Sequence, residues 1–583
     1  MADLISRYLE ENRMSDQDKY PHPAIPHYID ALEKRKISRR EFLRTTTLLG
    51  LSATAAYGIA GKITGEGVMP VAQAAGKQGG TLRISMVVQE MADPATFSWV
   101  EKSNVARHIA EYLTVTGADN VTRPYLAERW ETSEDLKTWT LYLRKGVKWH
   151  NGDEFNADDV VHNFTRWLDP DTGSSNVGLF ASMLEETGEK DDKGNAIKRM
   201  SAGAIEKVDS HTVRVNLNSP VLSIPENLYN YPTMIVHRDF GKDGNTDFSK
   251  NPIGTGPYTL VEFAVGEKAI LKRGPGKYWG EDLDDPYIGG PVYLDEIHYY
   301  DHGAASAAQL AAYASGQVDM IYGYDVASSQ MAESLPNTVV HSARTAQTGV
   351  ARMQISTAPF DNPKVREAIL ACIDTSNYPD LTYQGKADPG EHHHVAPIHP
   401  EYFKLPKMQR DVAKAKKLLA EAGHGDGLDL TIDVGNTNGP WQQACCEVMK
   451  QQLAEAGINL SLNIMPSGKY WEIWDKTPFG FTAWTHRPLG TMVLSLAYRT
   501  GVPWNETRYN NPEFDAALDA AEGLLDVDQR RAAMEKVENI LQGDHIMVQP
   551  IWTQKFFVAR DTVKSLSAHP TQYHQLHRVW IDA

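Results

Sequence analysis

Between residues 411 and 464 helical and strand patterns alternate with very little chain between them, and this order constrains the fold more than any other feature. Asp411 opens a helical pattern with Val412, Ala415, Leu418 and Leu419 on one face and Gly423 as its stop. Leu428 to Val434 reads as a strand, and Trp441 to Ala456 as a helix ended by Gly457. Ile458, Leu460, Leu462 and Ile464 then alternate in a second strand. Strands alternating with helices layer as α/β, because each element must bury one apolar face against the next. Two more helical patterns, 512–525 and 528–541, complete this half.

The first half is richer in strands. Residues 80–88 read as a strand that enters a loop at Asp93-Pro94, and Asn104 to Leu113 as a helix. In Leu136 to Leu143, Trp139, Leu141 and Leu143 share one face, the mark of a half-buried strand. Asn156 is placed to cap a helix from Ala157 whose apolar face is Val160, Val161, Phe164 and Leu168. Thr212–Leu217 and Tyr258–Phe263 read as further strands, the latter entered through the turn Gly254-Thr255-Gly256-Pro257. At roughly 150 residues per domain, 583 residues correspond to three or four compact units. With 42% hydrophobic and 23% charged residues the chain is globular rather than disordered. Its net charge of −17 opposes binding to phosphate backbones, so no nucleic-acid partner is expected. Three cysteines, Cys372 alone and Cys445 beside Cys446, cannot build a disulfide framework or a four-Cys metal site, and Cys372 reads as a buried thiol.

The N-terminal residues read as an address. Arg39 and Arg40 follow Ser38 and precede Phe42 and Leu43; an uncharged, mildly apolar stretch from Thr45 to Gly61 comes next. Ala72-Gln73-Ala74 supplies a small-x-small cleavage pattern. This is the layout of a twin-arginine export signal, with cleavage expected near Ala74. Lys62 closes the stretch at a length too short to span a membrane. Residues 1–36, ahead of the signal, are expected to be a disordered extension or the product of an over-early start codon. No Cys lies near the cleavage site, so a lipoprotein anchor is not expected.

Five segments carry a resemblance. LAERWETSEDLKTWTLYLRKGVKWHNGDEFNADDVVHNF (126–164), NPIGTGPYTLVEF (251–263), PFDNPKVREAILACID (359–374), DVAKAKKLLAEAGHGDGLDL (411–430) and LAEAGINL (453–460) occur in this order. Together they resemble family 5 of the bacterial ABC-transporter solute-binding proteins, the dipeptide, oligopeptide and nickel type. The resemblance implies an α/β periplasmic-binding-protein fold of two hinged lobes, with an extra subdomain inserted in lobe I. On this chain that means a signal over 1–74, lobe I over 75–345 with an insert at about 105–255, lobe II over 346–550, and a return segment over 551–583. The hinge crossings are expected near Thr348–Ile355 and Gln549–Ile551. The implied function is capture of a small solute between the lobes and its delivery to an inner-membrane ABC permease, in the periplasm and without covalent chemistry.

Peptide-binding members of that family place an Asp shortly after an aromatic residue in lobe II, where it meets the ligand's amino group. The matching stretch here is FGFTAWTHRPLG (479–490), and no Asp or Glu occurs between Asp475 and Glu506. His486 and Arg487 stand there instead. Arg offers a planar fork for a carboxylate or phosphate. This favours a peptide-like or opine-like ligand with an anionic end over an ordinary free-amine peptide, with a surface Arg beside a proline turn as the competing reading. Trp484, Trp441 and Trp504 are candidate cleft linings in lobe II. Met91 and Trp99 are candidates in lobe I, by match to the family's ligand-facing loop. Trp139, Trp149 and Trp167 are expected in the core.

Glu391-His392-His393-His394, followed by His399, raises the alternative of a nickel or metal-chelate binder using His393, His394 and His399. Adjacent residues on an extended loop point in alternating directions, which fits three ligands to one ion poorly. A further alternative, a Tat-exported enzyme, finds no support: there is no GxGxxG after a strand, no CxxC and no HExxH. A scaffold role without a small ligand is the remaining rival. No cofactor is implied, and the sequence does not name the ligand or the oligomeric state.

Overall fold

Two strands tie the molecule together. In a computed structural model, which describes residues 20–65, 76–190, 196–283, 289–324 and 326–582, Thr338–Met353 and Ile551–Arg560 run antiparallel through the middle of a large mixed sheet. On one side the order outward is Met320–Tyr324, Thr81–Ser85, Glu296–Tyr300, then the hairpin Lys268–Arg273 and Tyr258–Ala264. On the other side it is Phe479–Trp484, Leu428–Val434 and Ile458–Ile464. The pairing of the long strand shifts register between Arg344 and Gln347. Before the shift it pairs only with Ile551–Arg560; after it, Thr348 to Met353 also pair with Phe479–Trp484. From Thr345 onward every residue of the strand is buried, as expected for a strand covered on both faces. The result is two α/β lobes bridged by two crossing strands.

The lobes are built by the periodicities of their sequences. In the second, Leu428–Val434 and Ile458–Ile464 pair in parallel and strictly in register, from Leu428 with Ile458 to Val434 with Ile464. The helix Trp441–Ala454 makes the crossover that a parallel pair requires. Asp411 caps Val412–Glu421 by accepting a hydrogen bond from the Lys414 N–H. In the first lobe a separate antiparallel sheet orders Ala127–Thr132, Thr138–Leu143, Thr212–Asn216 and Ile205–Asp209. Trp139, Leu141 and Leu143 point into the core from it, and Trp149 and Trp167 are buried too. Asn156 and Asp159 form a reciprocal capping box at the start of Ala157–Leu168. All three cysteines are buried free thiols, and burial pushes the Cys372 thiol up to about 11.

Two expectations need correction. The helix expected over 104–113 runs over Val100–Ala106 instead, and the chain turns irregularly after Arg107. Residues 20–36 are not a disordered extension: Ile25–Glu33 is a helix with Ile25, Tyr28, Ala31 and Leu32 buried. Two more helices follow, Arg39–Leu48, capped by Ser38 and Glu41, and Ala53–Thr64. The Ala72-Gln73-Ala74 pattern lies outside the described residues. Among the described residues no helix is long and apolar enough to cross a membrane.

Candidate functional site

The strand Phe479–Trp484 is buried along its whole length and delivers Trp484, Thr485 and, three residues past its end, Arg487 to the seam between the lobes. There a cavity of about 450 Å³, mouth included, opens between Trp99, Glu101 and Tyr231 of the first lobe and Trp471, Trp484, Arg487 and Trp504 of the second. Trp99 meets Trp471 edge-on across the seam, ring centroids 4.7 Å apart, and Tyr231 stacks on Trp504 at 5.7 Å. Trp484 packs edge-on against Trp504 at 5.8 Å. Aromatic walls of this kind bury large apolar area while their polar edges still need partners.

For Trp484 that partner is a buried acid. The Trp484 indole Nε1 donates to Glu506 Oε1 at 2.6 Å. The other oxygen of Glu506 accepts from Arg352 Nε at 2.6 Å and from the Thr482 hydroxyl at 2.5 Å. Burial raises the Glu506 carboxyl, opposed by Arg352 and the hydrogen bonds. Glu506, the first acid after the long acid-free stretch, therefore sits behind the wall and fixes Trp484.

Arg487 is 2% exposed. Its Nη1 donates to the Thr485 hydroxyl at 2.7 Å and reaches the carbonyls of Thr485 and His486. The guanidinium carbon lies 5.2 Å from the Tyr231 ring centre and 5.9 Å from that of Trp504, within cation–π range. Its Nε is buried and has no acceptor among the described residues. A buried charged donor without a partner is costly unless something accepts from it.

Glu101, on the opposite wall, is raised by burial, with its own backbone N–H, Lys555 and Tyr322 acting against that. Lys555, 3% exposed, donates to Asn438 Oδ1 at 2.8 Å, and burial brings its ammonium down to about 7. Asn438 lines the cavity in turn.

Four expected ligand-site residues thus come together: Arg487, Trp484, Trp504 and Trp99 line one cavity. Three do not. His486 accepts from the Ala346 N–H at 2.9 Å through Nδ1 and lies 3.3 Å from Asn120 Oδ1 through Nε2, so its ring is used up between chain segments. Trp441 packs on Tyr383 and Phe481 and donates to the Asn438 carbonyl at 2.7 Å, which makes it a support for Asn438 rather than a wall. Met91 is fully buried in the core. Missing from the expectation were Glu101, Tyr231, Trp471 and Asn438. The crowding of Trp471, Trp474, Trp484 and Trp504 along one short stretch was the available signal for Trp471.

The histidines face three different ways. His393 lies between Glu538 (3.5 Å) and Glu391 (3.8 Å), on opposite sides of its ring. His394 Nδ1 meets the Tyr498 hydroxyl at 2.7 Å. His399 Nε2 donates to the Arg487 carbonyl at 2.9 Å while its Nδ1 accepts from the Ala396 N–H. Burial pushes His393 down to about 3 and His399 to about 4, and holds His394 well below its ordinary value, favouring the neutral ring at each. Their nitrogens do not converge on one point, so these three histidines do not form a single metal-binding cluster in this structure.

Comparison with known proteins agrees with this architecture. The family model described as bacterial extracellular solute-binding proteins, family 5 Middle, matches residues 122–526. The periplasmic oligopeptide-binding protein OppA of Haemophilus influenzae is 27% identical over 499 residues, covering 79% of this chain and 87% of that protein. Among solved structures, DppA from Helicobacter pylori in complex with peptide STSA superposes with a TM-score of 0.74 at 23% identity, covering 87% of this chain and 99% of that one. AgaA from A. tumefaciens R10 in complex with agropinic acid superposes at 0.73 with 21% identity, covering 86% and 99%. A family match over more than half of the chain, on a two-lobed fold with its cavity at the seam, identifies the chain as a member of family 5 of the bacterial extracellular solute-binding proteins, the solute-capturing components of ABC importers, and not an enzyme.

Proposed function

We propose that this chain captures a small, carboxylate-bearing, peptide-like or opine-like solute between its lobes in the periplasm and delivers it to the permease of an ABC importer. The observation that carries this reading is Arg487, a buried guanidinium flanked by Tyr231 and Trp504 in the seam, with an Nε that has no acceptor among the described residues. A ligand carboxylate would meet that donor, and the indole walls would bury the ligand's body. Glu101 across the cavity gives a cationic group on the same solute a partner. Fold neighbours solved with a tetrapeptide and with agropinic acid are consistent with ligands of both kinds on this scaffold.

Lobe I is proposed over 75–345 with its insert at about 105–255, lobe II over 346–550 and the return over 551–583; the register shift at Arg344/Gln347 supports the first boundary. Solute favours the closed form because only there do both walls touch it, and swinging the population from 1:99 to 99:1 takes about 5.5 kcal/mol of differential affinity. Export by the twin-arginine pathway is proposed from Arg39 and Arg40 and the uncharged stretch after them.

Calorimetry on the chain without residues 1–74, with a panel of dipeptides, their C-terminal amides and amino-acid–sugar acid conjugates, tests the reading. Arg487→Ala should abolish binding of whichever acid the parent takes, a loss of about 2–5 kcal/mol, with an unchanged circular dichroism spectrum. Equal affinity of an acid and its amide, or of the parent and the variant, overturns it.

A further inference from the structure

The helix Arg39–Leu48 is buried in a way that a surface helix is not. Every residue from Phe42 to Leu49 is at most 5% exposed, two full turns in succession, three of them threonines and one an arginine. A helix lying on a surface buries one stripe and shows the other to water. This one is enclosed on all sides, and its neighbours belong to both lobes.

On the first lobe, Arg44 pairs with Glu226, Nη2 at 3.0 Å and Nε at 3.2 Å from one carboxylate oxygen, with both side chains buried. The Leu48 carbonyl accepts from the Trp130 indole at 2.9 Å, and the Tyr57 hydroxyl donates to Asp119 at 2.5 Å. On the second lobe the same Arg44 Nη2 donates to the carbonyl of Pro488, the residue after Arg487. Glu41 pairs with Arg531, and the Tyr28 hydroxyl donates to the Leu525 carbonyl. One apolar cluster runs without a break from Phe42, Leu43 and Leu48 into Ile224 and Trp130 of the first lobe and Leu489, Met492 and Phe514 of the second. A single guanidinium therefore spans a carboxylate on one lobe and a backbone carbonyl on the other, and the lobes cannot part without breaking one of those bonds. The second oxygen of Glu226 has no hydrogen-bond partner among the described residues, so the loss of Arg44 strands a buried charge.

From this geometry we infer that residues 25–64 form a clasp that holds the lobes shut while the segment is attached, so that the chain opens freely and loads only once the segment is gone. The clasp overlaps the stretch that carries Arg39 and Arg40. Removal of an export signal and release of the jaws would then be one event, and the chain would stay closed to solutes on the side of the membrane where it is made. The inference goes beyond the ligand reading and does not depend on which solute is bound.

The test uses the full chain and needs no ligand. Spin labels at Lys272→Cys and Lys417→Cys, one exposed site on each lobe, report the interlobe distance, and hydrogen exchange reports the amides of 99–101 and 482–487. Arg44→Met with Glu226→Gln removes the bridge without leaving a buried charge; Glu41→Gln with Tyr28→Phe weakens only the second-lobe contacts and settles the matter if the first pair does not fold. A single short distance is expected in the parent. The variants should add a longer component and lose about tenfold in protection at the seam, as a local opening equilibrium requires. Identical distance distributions and protection in the parent and in the folded variants overturn the clasp.

Discussion

At the scale of single residues, the chain keeps several carboxyl and imidazole groups where water does not reach them, and burial favours their neutral forms. Glu538 is the sharpest case. Its carboxyl is fully buried, accepts from the Phe403 N–H at 3.1 Å, and is pushed up to about 9 by burial, with Glu391 and Glu401 adding to the push. A carboxyl raised in the folded state holds its proton while the unfolded chain, near 4.5, has lost it. Its contribution to stability is therefore present below about pH 4.5 and is lost as pH rises towards 9. Glu538→Gln keeps the acceptor and removes the titration, so the variant should match the parent at pH 4.5 and exceed it increasingly up to pH 8. The gap should grow by no more than about 1.4 kcal/mol per pH unit, read from urea midpoints. A gap that does not change with pH would refute the assignment. Of the candidate site, Arg487, Trp484, Trp504 and Trp99 were legible one residue at a time, because their chemistry or their place in a family motif marks them. Glu101 and Tyr231 were not: each reaches the cavity from a segment hundreds of positions away from Arg487, and no local pattern records that approach.

Elements read well wherever burial is one-sided. Leu428–Val434 and Ile458–Ile464 have the bounds their alternation sets, because one face packs on helices and the other is more open. The segment after Ala106 was misread for the opposite reason. Arg107 to Leu113 are all buried, so apolar residues at helical spacing there reflect burial on every side of an irregular chain. Gly254 and Gly256 were read as turn formers, yet neither needs a left-handed conformation. A Cβ on Gly254 would lie 1.8 Å from the Ile109 carbonyl oxygen, and one on Gly256 would lie 2.5 Å from that of His108, so the motif is glycine because another backbone passes against it. The same close approach joins the lobes at Gly178, whose added Cβ would fall 2.2 Å from the carbonyl oxygen of Ser495 in the helix Gly490–Ala497. Gly178→Ala should therefore cost the closed form more than the fold. In the chain without residues 1–74, solute affinity by calorimetry is expected to fall at least about tenfold, some 1.4 kcal/mol, with the urea midpoint of that unliganded form little changed. Unaltered affinity would show that the two segments separate in the bound state.

For the whole molecule, the proposed export signal and the proposed clasp share one stretch of sequence. Arg39 and Arg40 occupy the first two positions of the capped helix, with Arg40 exposed and Arg39 half-buried beside the Tyr57 ring at 5.5 Å. Replacing both with Lys keeps the charge and removes the planar forks. The double variant is expected to accumulate uncleaved inside the cell in a fractionation experiment, and normal maturation would count against the twin-arginine reading. The two-lobed plan was legible at this scale because its motifs recur in a fixed order along the chain. The packing of the leading helices was not, since a stretch rich in Thr, Ala and Gly carries too little apolar periodicity to declare what it will touch.

The edge-on pair Trp99 and Trp471 equips the protein with a built-in optical gauge. Any separation of its jaws pulls one indole from the other and admits water to both, so the intrinsic emission should redden and change intensity each time the seam parts, with no dye attached.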